Sequence, residues 1–304
     1  MGFHVHAGRV CQRSGDLLDR QQHDHLHPAI RDHAQPGLHT RRLWQYQAKL
    51  REKVETGRKV TATLAHIWRH PIKGIGSEAC QSVGLTPQGA VEGDRAWAFL
   101  NAAAEDSDDW QPRRNFLQVA SGPRLAAISA YSAPESLTLT HPDRDPLALT
   151  PATDGETLAH WIGDLWPADR PVPARLVKAP EQGMTDVPFA SVSIGNLSSL
   201  RALSQKVGSE IDMRRFRINL WLDGLAPWEE IDLLRRDLRI GNVRLTPVDP
   251  IERCRAPDAN PLTGQRDVTM LAELERGWDT RNFGVYFKVA EAGEVAVGDA
   301  ARPL

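Results

Sequence analysis

Cysteine has the widest chemical reach of any side chain in this sequence, and the 304 residues hold three: Cys11, Cys80 and Cys254. Cys254 stands in Pro250-Ile-Glu-Arg-Cys-Arg-Ala-Pro-Asp-Ala-Asn-Pro-Leu-Thr-Gly264, where a strand end runs into a loop of Pro, Asn and Gly, a rim position. Arg253 and Arg255 favour its thiolate, the form that acts as a nucleophile or as a soft metal ligand. A structural cysteine is more often embedded in apolar sequence. Cys80, between Ala79 and Gln81 on an alternating segment, reads as a small core or surface residue. An odd, sparse count with neither a CxxC nor another paired zinc spacing argues against a disulfide framework and fits a reducing, cytoplasmic compartment.

Other polar residues carry less specific signals. Taken alone, Lys73 and Arg95 read as solvated charges at strand ends. Arg214, Arg215 and Arg217 form a basic cluster of the kind that contacts nucleic acid, but alternation along Phe216 to Trp221 puts Arg217 and Asn219 on one face, the arrangement of a cleft-lining pair. Arg113 and Arg114 fit a solvated turn better than a substrate entrance. His4 and His6, with His23, His25 and His27, offer paired metal ligands, although the surrounding sequence reads first as a tail.

The elements that must position these residues are mostly strands. From Val60 onward, Pro and Gly interrupt short alternating segments, as in a mostly β (α+β) protein of two β-barrel-like units with a few short helices. The firmest local prediction is a hairpin over Leu238 to Leu245, with Gly241-Asn242 supplying the turn. Further strands are expected at Leu64 to Arg69, Leu137 to Thr140, Leu147 to Thr150, Ala174 to Lys178, Ser191 to Ile194, Arg217 to Leu222, Val285 to Val289 and Val295 to Val297. Asn196 can cap a helix bearing Leu197, Leu200, Leu203 and Val207 on one face and stopped by Gly208. Weaker helical patterns cover Glu156 to Leu165 and Thr269 to Arg276. Lys178 to Val187, with Pro180 and Gly183, reads as a crossing between the two β units. Trp68, Trp97, Trp221 and Trp278 sit in or beside apolar strands and are expected to pack in cores.

Charge divides the chain near Val60. Residues 1 to 59 carry 11 basic and 6 acidic side chains and 7 of the 11 His, while the remainder carries 26 and 33. The first segment lacks the apolar run of a secretory signal and reads as a disordered or over-called extension, with Val60 at an alternative start. The near-neutral whole gives no electrostatic footprint for nucleic acid or an anionic membrane, and no stretch approaches the roughly 18 apolar residues of a membrane span. The expected organisation is an extension over 1–59, one β unit over 60–178 and a second over 179–304.

From Val60 to Leu304 the chain resembles the MOSC family with its N-terminal β-barrel domain, a group that includes the molybdenum cofactor sulfurase C-terminal domain and the mitochondrial amidoxime-reducing component. Four landmarks match in order: His70-Pro-Ile-Lys-Gly; Gly93-Asp-Arg-Ala-Trp97; Arg215-Phe-Arg-Ile-Asn219 leading to Asp223-Gly-Leu-Ala-Pro-Trp-Glu229; and Arg253-Cys254 with Pro261-Leu-Thr-Gly264. Phe283-Gly-Val-Tyr and Val297-Gly-Asp299 resemble the closing strands. The resemblance implies a shared cleft holding a molybdopterin-type molybdenum cofactor, with Cys254 as the protein's thiolate ligand and catalytic residue. It places Lys73, Arg95, Arg217 and Asn219 on the pterin phosphate, where Arg can fork onto phosphate and Lys acts as a point charge. Asp186, next to Thr185, is within reach of the same cofactor.

The sequence departs from the family pattern at Pro257 and Asp258, where many relatives have Thr and Asn, and at Gly74, where some have Ser. The implied activity is reduction of an N-hydroxylated or N-oxygenated small molecule with electrons from a separate electron-transfer protein. The competing reading is a sulfur carrier or cofactor-handling module in which Cys254 holds a persulfide. Neither an iron-sulfur cluster nor a pyridoxal-phosphate domain is expected in this chain, and neither nucleic acid nor membrane is an expected partner.

Overall fold

The computed structural model describes residues 61–105 and 107–304. The readings of the N-terminal extension, its histidines, Cys11 and the start at Val60 lie outside the described residues.

Seven strands close into a ring. In ring order they are Ala62–Arg69, Leu220–Asp223, Val192–Asn196, Asn282–Glu291, Val243–Glu252, Leu238–Ile240 and Ala300–Pro303, the last pairing back onto the first; Glu78–Cys80 adds an eighth strand beside Ala62–Arg69. Every pairing in the ring is antiparallel except that of Val192–Asn196 with Leu220–Asp223. Closure removes the free edges that an open sheet would leave. Alternation drives it: along Ala62–Arg69 the buried residues are Ala62 and Leu64, and a register shift between Leu64 and His66 then brings Ile67 inward.

The barrel core is aliphatic with an aromatic end. Phe216 stacks on Phe283 at 4.1 Å between centroids, and Trp228 lies 4.5 Å from Trp278. Trp221 and Trp278 are buried as expected, while Trp68 and Trp97 are half-buried beside the two cores. The helix Leu197–Val207 packs on this barrel. Asn196 accepts the Ser198 N–H at 2.9 Å as its cap, and Gly208 ends it in the left-handed region at φ 81°. The hairpin is also present: Ile240 faces Val243, and positive φ at Gly241 alone matches a turn with Gly first.

A second core gathers Ile72, Phe99, Leu125, Leu139, Leu149, Leu158 and Trp166. Two three-stranded sheets enclose it, one of Pro173–Lys178, Trp97–Asn101 and Ile72–Lys73, the other of Ser129–Ser132, Leu137–His141 and Arg144–Leu149. The helix Gly155–Ile162 packs against them, and a third helix, Met270–Trp278, joins the barrel core.

One expected strand begins late. Arg217 is not extended: a 3₁₀ turn over Met213–Phe216, capped by Asp212, ends in Arg217 at φ 49°, and the strand starts only at Leu220. Arg214 to Arg217 therefore follow turn geometry, and simple alternation does not govern which way Arg217 faces.

Candidate functional site

A cleft of about 520 Å³ opens between segments from both halves of the sequence. Lys73, Arg95, Asp186, Arg217, Asn219 and Cys254 all line it. The structure thus brings together the six residues that the family resemblance assigns to the cofactor, and Thr185 and Arg113 join them while Arg114 and Arg214 do not.

Backbone turns position these side chains. Lys73 ends the strand Ile72–Lys73, and Gly74 follows at φ 73°, so close to the next loop that a Cβ would lie 2.5 Å from the Leu117 carbonyl oxygen. That is why serine, found here in some relatives, is not accommodated without moving the loop. Asp94, buried, joins the first two sequence landmarks: its carboxylate accepts the His70 backbone N–H at 2.8 Å, contacts His70 Nδ1 at 3.2 Å and pairs with Arg95. The Arg95 N–H in turn donates to the His70 carbonyl at 2.7 Å. Arg95 Nη2 reaches the Arg217 carbonyl at 3.0 Å, and Arg217 Nη1 donates to the Gly76 carbonyl at 3.0 Å. Landmarks far apart in sequence are clasped into one wall.

The electrostatics are those of a crowded cationic site. Burial pushes the Arg217 guanidinium down to about 9, helped by the like charge of Arg95, and burial also brings Arg253 to about 10. Burial lowers Lys73, which is held by Asp186 Oδ1 at 2.5 Å and the Met184 carbonyl at 2.9 Å. For Asp186, desolvation by its surroundings would raise the carboxyl, but Lys73, Arg95 and Arg113 bring it down to about 2, and with its side chain half open to the cleft it stays ionised. His70 is driven to about 3 by burial and by Arg217 and Arg95, so it is neutral.

Cys254 lies just beyond the strand Val243–Glu252, half-buried, with its Sγ accepting the Ala256 N–H at 3.4 Å. Its two arginine neighbours divide their tasks. Arg253 turns inward, donating to the carbonyls of Phe283 and Phe216 at 2.6–2.8 Å and lying over the Phe216 ring, whereas Arg255 is exposed and loosely paired with Asp258. Asn219 is engaged within the fold: its Oδ1 accepts from Ser193 Oγ at 2.7 Å and its Nδ2 donates to the Trp68 carbonyl. Pro257 and Asp258, the departures from the pattern, are also employed structurally. Their carbonyls accept from Arg215 Nη1, and Asp258 Oδ1 accepts the Met270 N–H at the start of a helix.

Sequence reasoning gave no place in the cleft to several residues of its lining. Arg215 is nearly buried, forked onto Asp267 at 2.8 Å, and its Nε has no hydrogen-bond partner among the described residues. Arg253, Tyr286, Phe189, Asp249 and Glu252 line the same cleft. Arg253 and Tyr286 were within reach of the landmarks already noted; nothing in residue type or spacing marks Asp249.

Comparison with known proteins gives two family matches that follow each other along the chain. The model for the MOSC N-terminal beta barrel domain matches residues 61–164, and the model for the MOSC domain matches residues 183–302. Among curated proteins the chain is 24% identical over 273 residues to a molybdenum cofactor sulfurase of Caenorhabditis elegans, covering 80% of this chain and 36% of that protein. It is 26% identical over 272 residues to the molybdenum cofactor sulfurase of Caenorhabditis briggsae, covering 79% and 36%. The chain therefore spans about a third of the length of these relatives. Among solved structures, the YUAD protein from Bacillus subtilis aligns with 80% of this chain and 96% of its own, at 12% identity and a TM-score of 0.40.

Proposed function

The chain belongs to the MOSC-domain family, and from that premise we propose a molybdenum-cofactor-linked function: a reductase of N-hydroxylated or N-oxygenated small molecules that binds the cofactor in the cleft of Cys254 and draws electrons from a separate redox protein. The net conversion takes two electrons and two protons, breaks the N–O bond and releases its oxygen as water, leaving N–H where the substrate was N-hydroxylated.

The residues present suit such a cofactor. Cys254 offers a soft thiolate to the metal, and its half-buried position at the cleft wall leaves the sulfur reachable. Lys73, Arg95, Arg217 and Arg253 surround the same space, Arg113 and Arg215 also line it, and the buried Arg215 Nε has no hydrogen-bond partner among the described residues. Burial first and the like charge of Arg95 second depress Arg217, and an anionic group such as a pterin phosphate offsets both. When bound, the cofactor supplies the redox centre for oxygen removal. The chain's own part is to grip the anionic end, to hold Asp186 ionised beside Lys73, and to keep the sulfur at the wall through the Ala256 N–H.

The observation that carries this reading is the convergence of Cys254 and six guanidinium or ammonium groups on one cleft. The sulfurase relatives favour a second reading, sulfur carriage on Cys254 with a persulfide supplied by another protein. One comparison separates them. Wild-type chain and Cys254→Ser, produced in a host that makes the cofactor, are assayed for molybdenum and pterin per chain, for reduction of an N-hydroxy compound with an artificial donor, and for the added mass of one sulfur atom. The reductase reading expects near-stoichiometric metal, at least tenfold lower in the variant, and turnover abolished with it; a sulfur adduct without metal or turnover transfers the assignment to the carrier.

A further inference from the structure

The loop that carries Cys254 lends its residues to two clefts. Cys254, Ala256 and Pro257 line the first, while Arg255 and Asp258 line a second of about 500 Å³ together with Arg266, Asp267 and Thr269. Apolar packing anchors the loop only from Ala256 onward, where Ala256 and Ala259 meet the second core. Cys254 therefore depends on polar ties for its place, and those ties converge on the turn Met213–Phe216.

Before the cysteine, Arg253 Nη1 donates to the Phe216 carbonyl at 2.8 Å. After it, Arg215 Nη1 donates to the carbonyls of Pro257 and Asp258, each at 3.2 Å. Two adjacent residues of one turn thus bracket Cys254 from both sides. The turn is itself fixed, because Asp212 accepts the Arg214 N–H at 2.8 Å and Phe216 stacks on Phe283.

Arg215 can serve two carbonyls because its charge is answered elsewhere. Its side chain is 3% exposed, and Asp267 forks onto it, Oδ1 on Nη1 and Oδ2 on Nη2, both at 2.8 Å. A buried guanidinium without such a partner is costly, and the bidentate pair keeps its donors aimed. Asp267 is held in turn by Asn260 Nδ2 at 2.7 Å, and its own N–H donates to the Asp258 carbonyl at 3.2 Å. Unlike Arg215, Asp267 does not line the Cys254 cleft. Pro257 and Asp258, where the sequence departs from the family pattern, are the two residues that Arg215 grips.

We propose that Arg215, oriented by Asp267, is a positioning residue for Cys254: through Pro257 and Asp258 it fixes the loop so that the sulfur stays at the cleft wall. The role serves Cys254 as a metal ligand if the reductase reading holds and as the persulfide site if the carrier reading does, and it is measurable on the chain without cofactor.

The test follows iodoacetamide alkylation of Cys254 in the native full chain, at one pH and by peptide mass spectrometry, with the half-buried Cys80 as internal reference. Asp267→Asn leaves every side chain of the cleft in place, and it is expected to speed Cys254 about fivefold or more while Cys80 stays within about twofold. Arg215→Met should do the same, whereas Arg215→Lys, which keeps the charge for Asp267 and a donor for the carbonyls, should recover about half of the protection. An unchanged Cys254 rate in Asp267→Asn overturns the proposal, and so does equal acceleration of Cys254 and Cys80, the mark of general loosening. If Arg215→Met does not fold, Asp267→Asn decides alone. A wild type that takes up no molybdenum, yet shows the acceleration in Asp267→Asn, refutes the reductase reading and leaves the role of Arg215 standing.

Discussion

Glu230 is a carboxyl with no access to water and, among the described residues, no counter-charge beside it. It lies under the start of the helix Leu197–Val207, accepting from Asn196 Nδ2 at 2.9 Å and Ser199 Oγ at 2.7 Å, and burial pushes it from the ordinary 4.5 up to about 7 against those two bonds. A carboxyl whose folded-state value is raised contributes stability that is fully present below 4.5 and lost as pH rises through about 7. Glutamine can accept the same two bonds and does not titrate. The stability of Glu230→Gln relative to wild type is therefore expected to rise by about 3 kcal/mol between acid and mildly alkaline pH. Urea denaturation at a series of pH values reads this directly, and parallel profiles for the two proteins would show that the carboxyl is not strained. Residue chemistry also separates what the sequence disclosed from what it hid. The place of Cys254 on the cleft wall was legible because a strand end running into a loop of Pro, Asn and Gly is a signal local in sequence. Asp249 was not, because an aspartate in a Pro-rich strand has no distinguishing type, and its direction depends on a register shift between strands some forty residues apart.

Short elements position the site through glycines whose surroundings differ. Gly74 and Gly208 share the left-handed region, at φ 73° and 81°, but a Cβ on Gly74 would lie 2.5 Å from Leu117 O and 2.9 Å from Gln118 Cα, whereas nothing stands within 4 Å of one on Gly208. Gly208→Ala should thus cost only the conformational penalty, about 1 kcal/mol, and Gly74→Ala that penalty plus a backbone displacement, about 3 kcal/mol or more. Denaturant midpoints compare the two; equal costs would mean that the Leu117 loop yields freely. Elements with local signals were readable in advance: the hairpin at Gly241-Asn242, and the helix between Asn196 and Gly208, whose start and stop residues do the work assigned to them. The turn at Arg217 was not readable. Its alternating neighbours Phe216 and Ile218 suit a strand, and the 3₁₀ turn that prevails is fixed by Asp212 accepting the Arg214 N–H and by the fork of Arg215 on Asp267.

At the scale of the molecule, order in the sequence and order in the ring diverge. The strand Ala62–Arg69 opens the described chain, yet it stands between Leu220–Asp223 and Ala300–Pro303 and supplies Leu64 and Ile67 to the barrel core. Counting strands in sequence suggests barrels but not their membership, because antiparallel pairing across more than two hundred residues leaves no local trace. This arrangement bears on the proposed division at residues 178 and 179. A fragment over 179–304 retains six staves of the ring and lacks the one that closes it, so it presents two unpaired edges and uncovers the apolar faces that Leu64 and Ile67 fill. It also loses Lys73 and Arg95, and with them the wall that Arg217 clasps through the Gly76 carbonyl. The fragment alone is therefore expected to give a poorly dispersed amide spectrum and to aggregate, while 61–304 unfolds in one transition involving both cores. A 179–304 fragment with a dispersed spectrum and cooperative melting would show instead that the ring closes on six strands, and that the N-terminal strand is needed for the cleft and not for the fold.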